Sequence, residues 1–177
     1  VNVGGQIKTL AGELPELETL DVSDTQLSRI DLSGAVKLKN LVASNTQIKS
    51  LDASSYNSLE VLNLSGCSEF GKDQTTSLLL PESSNLKDVD LTNTSVQSAE
   101  LGNVLSELDS TPTTEGVIKK FRYVGTSRRP PDSDDNITSL ESTGWDISPK
   151  EPTQDKFVDV QSSVKPDITR QDLFEKR

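Results

Sequence analysis

The side chains of this sequence that could take part in chemistry are carboxylates, hydroxyls and one thiol, because the chain contains no histidine. Histidine bases and histidine metal ligands are therefore excluded. Asp88 and Asp90 lie two positions apart, which would place both carboxylates on one face of a strand. Because nothing in the sequence predicts the burial that raises a carboxyl pKa, we expect no acid–base catalysis from this pair.

Metal and thiol chemistry are equally poorly supported. The run 132–136, DSDDN, offers oxygen ligands of the kind that calcium prefers, but it lacks the glycine and the bidentate glutamate of a calcium loop. The single cysteine, Cys67, cannot form an internal disulfide, and we predict that it is buried and inert. The sequence therefore predicts no catalytic residue, no metal site, no cofactor and no enzymatic activity.

The composition of the chain also limits the kinds of partner that it can bind. The 177 residues carry a formal net charge of −10, which argues against nucleic-acid binding driven by counterion release. The longest apolar run is close to Leu78–Leu80, far short of the roughly 18 residues that a membrane-spanning helix needs. We therefore expect no nucleic-acid partner and no transmembrane segment.

An internal repeat governs the first two thirds of the chain. A hexad with the pattern L-x-x-L-x-L begins at Leu17 and returns at Leu38 and Leu59, each time 21 residues further on. A fourth copy begins at Leu86, after a short insertion, and a degenerate fifth copy begins near Ile118. Such a constant period indicates one structural unit that is stacked several times.

The spacing of the hexad predicts how each unit folds. In a strand, Leu20 and Val22 would point inward and Asp21 outward, and parallel copies stacked about 4.8 Å apart could share one core. A second apolar triplet in 27–32 indicates an extended return segment, and 21 residues leave no room for a long helix. We predict a β-rich α/β fold with a parallel sheet on one face, extended or 3₁₀ return segments, and few or no long helices.

These residues resemble a leucine-rich repeat. The segment 38–52, LKNLVASNTQIKSLD, is similar to the short repeats of about 21 residues in secreted bacterial surface proteins of the Bacteroidetes and the internalin-like group. The resemblance covers about 6–108 well and 117–147 loosely. It implies a leucine-rich-repeat solenoid, a class that mostly binds proteins or glycans and whose repeats are seldom enzymes. In the turn where the family carries asparagine, this chain has Thr25, Thr46 and Thr94.

We assign residues 1–147 to the solenoid and residues 148–177, where the periodicity is lost, to an extended C-terminal arm. The copies lie near 1–16, 17–37, 38–58, 59–85, 86–116 and 117–147. Two prolines and mixed charges predict an exposed, irregular loop over 127–136. The only tryptophan, Trp145, is predicted to belong to a cap on the open end of the apolar core.

Outward positions of the predicted strands form the expected contact surface. The stretch 117–129 holds five basic and no acidic residues, which predicts a positive patch near the end of the array. The predicted partner-binding residues are Asp21, Asn40, Asn63, Asp88, Asp90, Lys120 and Arg122.

Two functions stay open at this point. The first is a non-catalytic recognition module, secreted or on the cell surface, that binds a protein or a glycan through the sheet face. The alternative is a structural subunit of a larger organellar or cytoplasmic assembly, which would contact its partners through the loop 127–136 and the C-terminal arm.

Overall fold

The structure, a computed structural model, describes residues 9–11, 14–32, 34–72, 77–81, 85–109, 119–123 and 134–149. Most of the predicted arm, from residue 150 onward, lies outside the described residues. The same holds for residues 127–133 of the predicted irregular loop.

Six short strands form one parallel sheet. They are β2 (Thr19–Asp21), β4 (Asn40–Val42), β6 (Val61–Asn63), β8 (Asp88–Asp90), β9 (Lys119–Arg122) and β10 (Trp145–Ser148). Their order is β10-β9-β8-β6-β4-β2, and every neighbouring pair is parallel. The β-rich fold with a parallel sheet that the sequence predicted is confirmed.

The register of this sheet follows the spacing of the hexads. Leu20 pairs with Leu41, and Leu41 with Leu62, each 21 positions further along the chain. Leu62 then pairs with Val89 across the insertion, and Val89 with Phe121. All five side chains are buried. Because equivalent residues stack on one another, the inward side chains of successive strands form one continuous apolar column.

Where the structure describes the path that returns from one strand to the next, it contains four more strands. β1 (Thr9–Ala11) pairs in parallel with β3 (Arg29–Asp31), and β5 (Leu51–Asp52) pairs in parallel with β7 (Leu78–Leu79). The extended return segments predicted from the second apolar triplet are therefore present. β3 and β5, however, do not pair, so the described return side consists of two separate two-stranded sheets.

Two helices replace extended chain in the described ranges of the later, longer copies. They are α1 (Ser98–Asp109) and α2 (Asp134–Ser142). The general expectation of extended or 3₁₀ return segments does not hold for the fourth copy, because the apolar residues of 101–108 recur at helical spacing and are buried on one side of α1. Residues 134–136, predicted to be irregular, form the first turn of α2.

Buried turn residues follow the strands, as the repeat predicted. Thr25, Thr46 and Thr94 are nearly inaccessible, and each hydroxyl donates a hydrogen bond to the carbonyl three residues earlier, at 2.7, 2.9 and 2.8 Å. The thiol of Cys67 is also buried and lies 3.0 Å from the carbonyl oxygen of Ala43 in the preceding copy. The thiol also lies 3.2 Å from the hydroxyl of Thr46, so the turns of these two copies are linked by side-chain contacts.

The residue before each of these turn positions has a left-handed backbone. The φ angles of Asp24, Asn45 and Asn93 are 57°, 55° and 57°, and that of Gly66 is 75°. Aspartate, asparagine and glycine are the residue types that adopt this conformation at least cost. The chain can therefore turn sharply at the end of each strand and still direct the next residue into the core.

A buried carboxylate fastens α1 to the return side. Glu100 is 1% exposed, and its Oε1 atom accepts hydrogen bonds from the backbone N–H groups of Ser77 and Leu78, at 2.7 and 2.8 Å. These N–H groups lie at the start of β7, so one side chain holds the helix against that strand. The repeat pattern contains no signal for this contact.

Replacing Leu62 by aspartate should unfold the array, because it removes a central member of the apolar column and buries an unpaired carboxylate. We expect a loss of about 4 kcal/mol or more in the free energy of unfolding, measured by urea denaturation followed by circular dichroism. The matched control is Asn63→Asp, which adds the same charge one residue later on the outward side. Equal urea midpoints for the two variants would contradict the inward–outward assignment.

Replacing Glu100 by alanine should cost about 1–3 kcal/mol, because two buried N–H groups lose their acceptor. Glu100→Gln retains an acceptor oxygen, so its thermal midpoint should lie closer to that of the wild type. If alanine and glutamine have the same effect, the hydrogen bonds to β7 do not contribute.

Candidate functional site

The outward side chains of the six-stranded sheet form two parallel columns, which together are called the sheet face. One column consists of Thr19, Asn40, Val61, Asp88, Lys120 and Asp146, and the other of Asp21, Val42, Asn63, Asp90, Arg122 and Ser148. All of the predicted partner-binding residues lie in these columns. Lys120 is exposed and the other predicted residues are half-buried.

In the first copies, polar side chains on this face bond to their equivalents in the next copy. Asn40 donates from Nδ2 to the hydroxyl of Thr19 at 3.2 Å, and Ser44 donates to Ser23 at 2.9 Å. Both pairs are 21 residues apart, so the repeat itself places the partners side by side. These contacts use part of the face's hydrogen-bonding capacity and restrain the side chains.

Three residues of the second column are also restrained by their own backbone. Asp21, Asn63 and Asp90 each accept a hydrogen bond through Oδ1 from the N–H group two residues later, at 3.0, 2.9 and 2.9 Å. The bond from the Ser23 N–H lowers the pKa of Asp21 below its ordinary value. The face therefore presents carboxylate and amide groups with fixed orientations.

Arg122 joins the two acidic residues of the neighbouring strand. Its Nε donates to Asp90 Oδ2 at 2.9 Å, and its terminal NH2 group donates to Asp88 Oδ1. Burial alone would raise the pKa of Asp90, but hydrogen bonds from Thr92 and Arg122 outweigh it and hold that pKa below its ordinary value. Asp90 therefore stays ionised at neutral pH and is unsuited to donate a proton.

The positive patch expected from 117–129 does not form in the described part of that stretch. Arg122 is paired with carboxylates, and Lys119 is 3% exposed, with its Nζ 5.3 Å from the centre of the Trp145 ring. Lys120 is the exposed cation of β9, whereas Arg128 and Arg129 lie outside the described residues. Contacts with the neighbouring strands β8 and β10 therefore pair Arg122 and bury Lys119, so neither contributes to a positive patch.

Trp145 lies on β10, at one end of the six-stranded sheet, and is 3% exposed. The segment around Trp145 is therefore a further strand of the sheet. The sequence predicted a cap at this place but not its secondary structure. Burial lowers the pKa of Lys119, the residue beside it in the register.

The described residues contain no group of three or more potential metal-ligating side chains. Burial raises the pKa of the Cys67 thiol, although hydrogen bonds from Thr46 and its neighbours oppose this, so the thiol stays protonated at neutral pH. Neither helix in the described ranges is long and apolar enough to span a bilayer. The arrangement offers fixed charges and hydrogen-bonding groups on a shallow surface.

Compared with protein-family models, with curated proteins and with solved structures, the chain matches none. Functional interpretation therefore rests on the geometry of the sheet face and of the surfaces around it.

Tyr56 is a residue whose importance the sequence reasoning missed. It stands 21 positions after Ala35, so a bulky aromatic residue replaces a methyl group at the same place in the next copy. Its side chain is fully buried, and its hydroxyl accepts a hydrogen bond from the Leu32 N–H at 3.2 Å. Comparison of equivalent positions between copies would have revealed this substitution.

Removing the guanidinium in Arg122→Gln should raise the pKa of Asp90, because the carboxylate loses a charged hydrogen-bond donor. Since the folded-state pKa of Asp90 is depressed, its stabilising contribution is present above the unfolded-state value and is lost as the pH falls through the folded-state value. The variant should therefore lose less stability on acidification than the wild type. Carboxyl ¹³C chemical shifts measured against pH test the pKa directly.

The matched control for that titration is Lys120→Gln, which removes a positive charge from the same strand without touching the ion pairs of Asp90. It should leave the Asp90 titration closer to that of the wild type. An unchanged Asp90 pKa in Arg122→Gln would show that the ion pair does not hold in solution.

Proposed function

We propose that the chain is a leucine-rich-repeat solenoid that acts as a non-catalytic protein- or glycan-recognition module, secreted or on the cell surface, and binds through its sheet face. Parallel strands with a register of 21 residues support the repeat assignment. Outward side chains that line up across six strands support the assignment of the binding surface.

A protein partner is favoured by one observation on this face. Val42 and Val61 are half-buried diagonal neighbours on β4 and β6, two interior strands of the six-stranded sheet, and polar residues such as Asn40 and Asn63 lie beside them. A small apolar centre within a polar rim is the usual anatomy of a protein–protein contact.

Charge on the same face would add selectivity. Asp88, Asp90 and Arg122 hold one another in place, so both signs are displayed in a fixed arrangement. Preorganised charges of this kind lower the cost of ordering side chains on binding and discriminate against partners with the wrong charge pattern. Little aromatic surface is available there, which favours a moderate affinity.

The scaffold alternative depends on the loop 127–136 and the C-terminal arm. Residues 127–133 and 150–177 lie outside the described residues, so the structure offers no observation that favours it.

The test uses the full chain to capture partners by chemical cross-linking from the envelope and extracellular fractions of its source cells. Each captured protein is then purified and its dissociation constant measured against variants. Val42→Arg and Val61→Arg should each weaken binding about 30-fold, as expected for a central contact. The matched control is Val36→Arg, because Val36 is 53% exposed and lies outside the strands of the sheet.

Wild-type affinity in both sheet-face variants would overturn the proposal. So would a partner whose binding is weakened more by Val36→Arg than by the sheet-face substitutions. Melting temperatures of all three variants exclude unfolding as the cause.

A further inference from the structure

A cleft of about 510 Å³ opens on the return side where β3 and β5 fail to pair. The copy that contains β3 and the copy that contains β5 are hydrogen-bonded to each other on both sides of this opening. On one side the Gln47 N–H donates to the carbonyl of Leu27 at 2.9 Å, and on the other the Leu32 N–H donates to the Tyr56 hydroxyl. The cleft is thus a bounded gap between two otherwise connected copies.

Tyr56 accounts for the gap. In a continuous parallel ladder the Leu32 N–H would donate to a backbone carbonyl of the next return strand, whereas here a side-chain hydroxyl takes that place. The aromatic ring is buried between the copies, at the position where Ala35 stands one copy earlier. A ring in place of a methyl group holds β3 and β5 apart, so the cleft is a consequence of the packing.

The charged groups that line the cleft balance one another, and Ile30 and Tyr56 add apolar surface. Arg29 and Lys49 contribute two cations, and Asp31 and Asp52 contribute two carboxylates. Arg29 is 3.3 Å from Asp31 in an exposed ion pair, whereas none of the ion pairs among the described residues includes Lys49. Three serines complete the hydrogen-bonding lining.

Tyr56 also lines the cleft, although only 1% of the residue is exposed. Its hydroxyl oxygen accepts the Leu32 N–H, which holds the ring between the two copies. Burial raises the pKa of Tyr56, the Leu32 N–H opposes this, and the carboxylates of Asp31 and Asp52 raise it further. The phenol therefore keeps its proton at neutral pH.

This combination of groups selects against charged ligands. A phosphate or carboxylate would meet Asp31 and Asp52, and a polyamine would meet Arg29 and Lys49. A sugar hydroxyl, by contrast, can donate to the carboxylates and accept from the cations at the same time. The volume also falls within the range of about 300–1,000 Å³ that is usual for small-ligand sites.

We propose that this cleft binds a neutral, polyhydroxylated ligand of the oligosaccharide class. Lys49 and Arg29 donate to ligand oxygens, Asp31 and Asp52 accept from ligand hydroxyls, and the three serines contact the remaining groups. The site lies on the return side and is separate from the sheet face, so one chain would hold a protein and a glycan at different surfaces.

The test records amide ¹H–¹⁵N spectra of the full chain during titration with maltotriose, cellotriose and chitotriose as neutral probes. Trigalacturonate and spermine serve as anionic and cationic comparators. At least one neutral trisaccharide should shift the amides of 28–31 and 49–52 in a saturable way. Binding of a charged comparator alone, shifts confined to the sheet face, or no saturable shift with any neutral probe would overturn the proposal.

Two variants then test the residues. Lys49→Gln and Asp52→Asn should each weaken binding of the responding trisaccharide about tenfold, because each removes one charged hydrogen-bonding partner. Asp52→Asn retains the Oδ1 atom that accepts the Ser54 N–H at 3.0 Å, so the local turn is preserved. Matched controls outside the cleft and the sheet face are Lys72→Gln and Asp135→Asn, which should bind like the wild type.

A third control separates this site from the sheet face. Val61→Arg should leave trisaccharide binding unchanged, whatever its effect on a protein partner. Equal weakening by Lys49→Gln and Lys72→Gln would show that only net charge matters and would overturn the assignment of the cleft.

Discussion

Every strand in the described part of the chain is too short to bury its own apolar side chains, and each is stable only because the strands of adjacent copies cover them. Leu41 illustrates the dependence, since it is stacked between Leu20 and Leu62 and is inaccessible to solvent. Burial of one such side chain contributes about 1.5–3 kcal/mol. A strand of two to four residues therefore needs the burial provided by both neighbouring strands to offset the backbone entropy that it loses on folding. Stability is therefore shared between neighbouring copies, and the backbone positions follow from the stacking.

Once stacking sets the backbone, outward residues come to lie side by side whatever their chemistry. As a result, the apolar side chains of Val42 and Val61 lie together among polar residues. For the same reason, Arg122 lies against Asp88 and Asp90. The charge of Arg122, which has no obvious partner in the sequence, is thereby neutralised by carboxylates of the preceding copy. The chemistry of the sheet face belongs to neighbouring copies jointly, and no single copy contains it.

Departures from the repeat create the features that a regular array would lack. The longer fourth copy has room for α1, whose Glu100 carboxylate binds the backbone at the start of β7. Tyr56 stands where the preceding copy has Ala35, and a cleft with charged, hydroxyl and apolar lining groups opens where β3 and β5 stay unpaired. In both cases a local change in one copy altered the surface formed with its neighbour, which is where a repeat protein can acquire a new site.

The sequence by itself determined the parallel sheet from β2 to β9, its register, the inward and outward positions and the burial of the turn residue Cys67. These properties follow from a constant period and from strand geometry, which need no knowledge of side-chain conformations. Tertiary structure decided that Lys119 is buried beside Trp145, that Arg122 is paired, and that β3 and β5 stay apart. Those outcomes depend on contacts between residues of different copies. Their side chains meet only in the folded chain, because insertions of unequal length change which residues of neighbouring copies are stacked on each other.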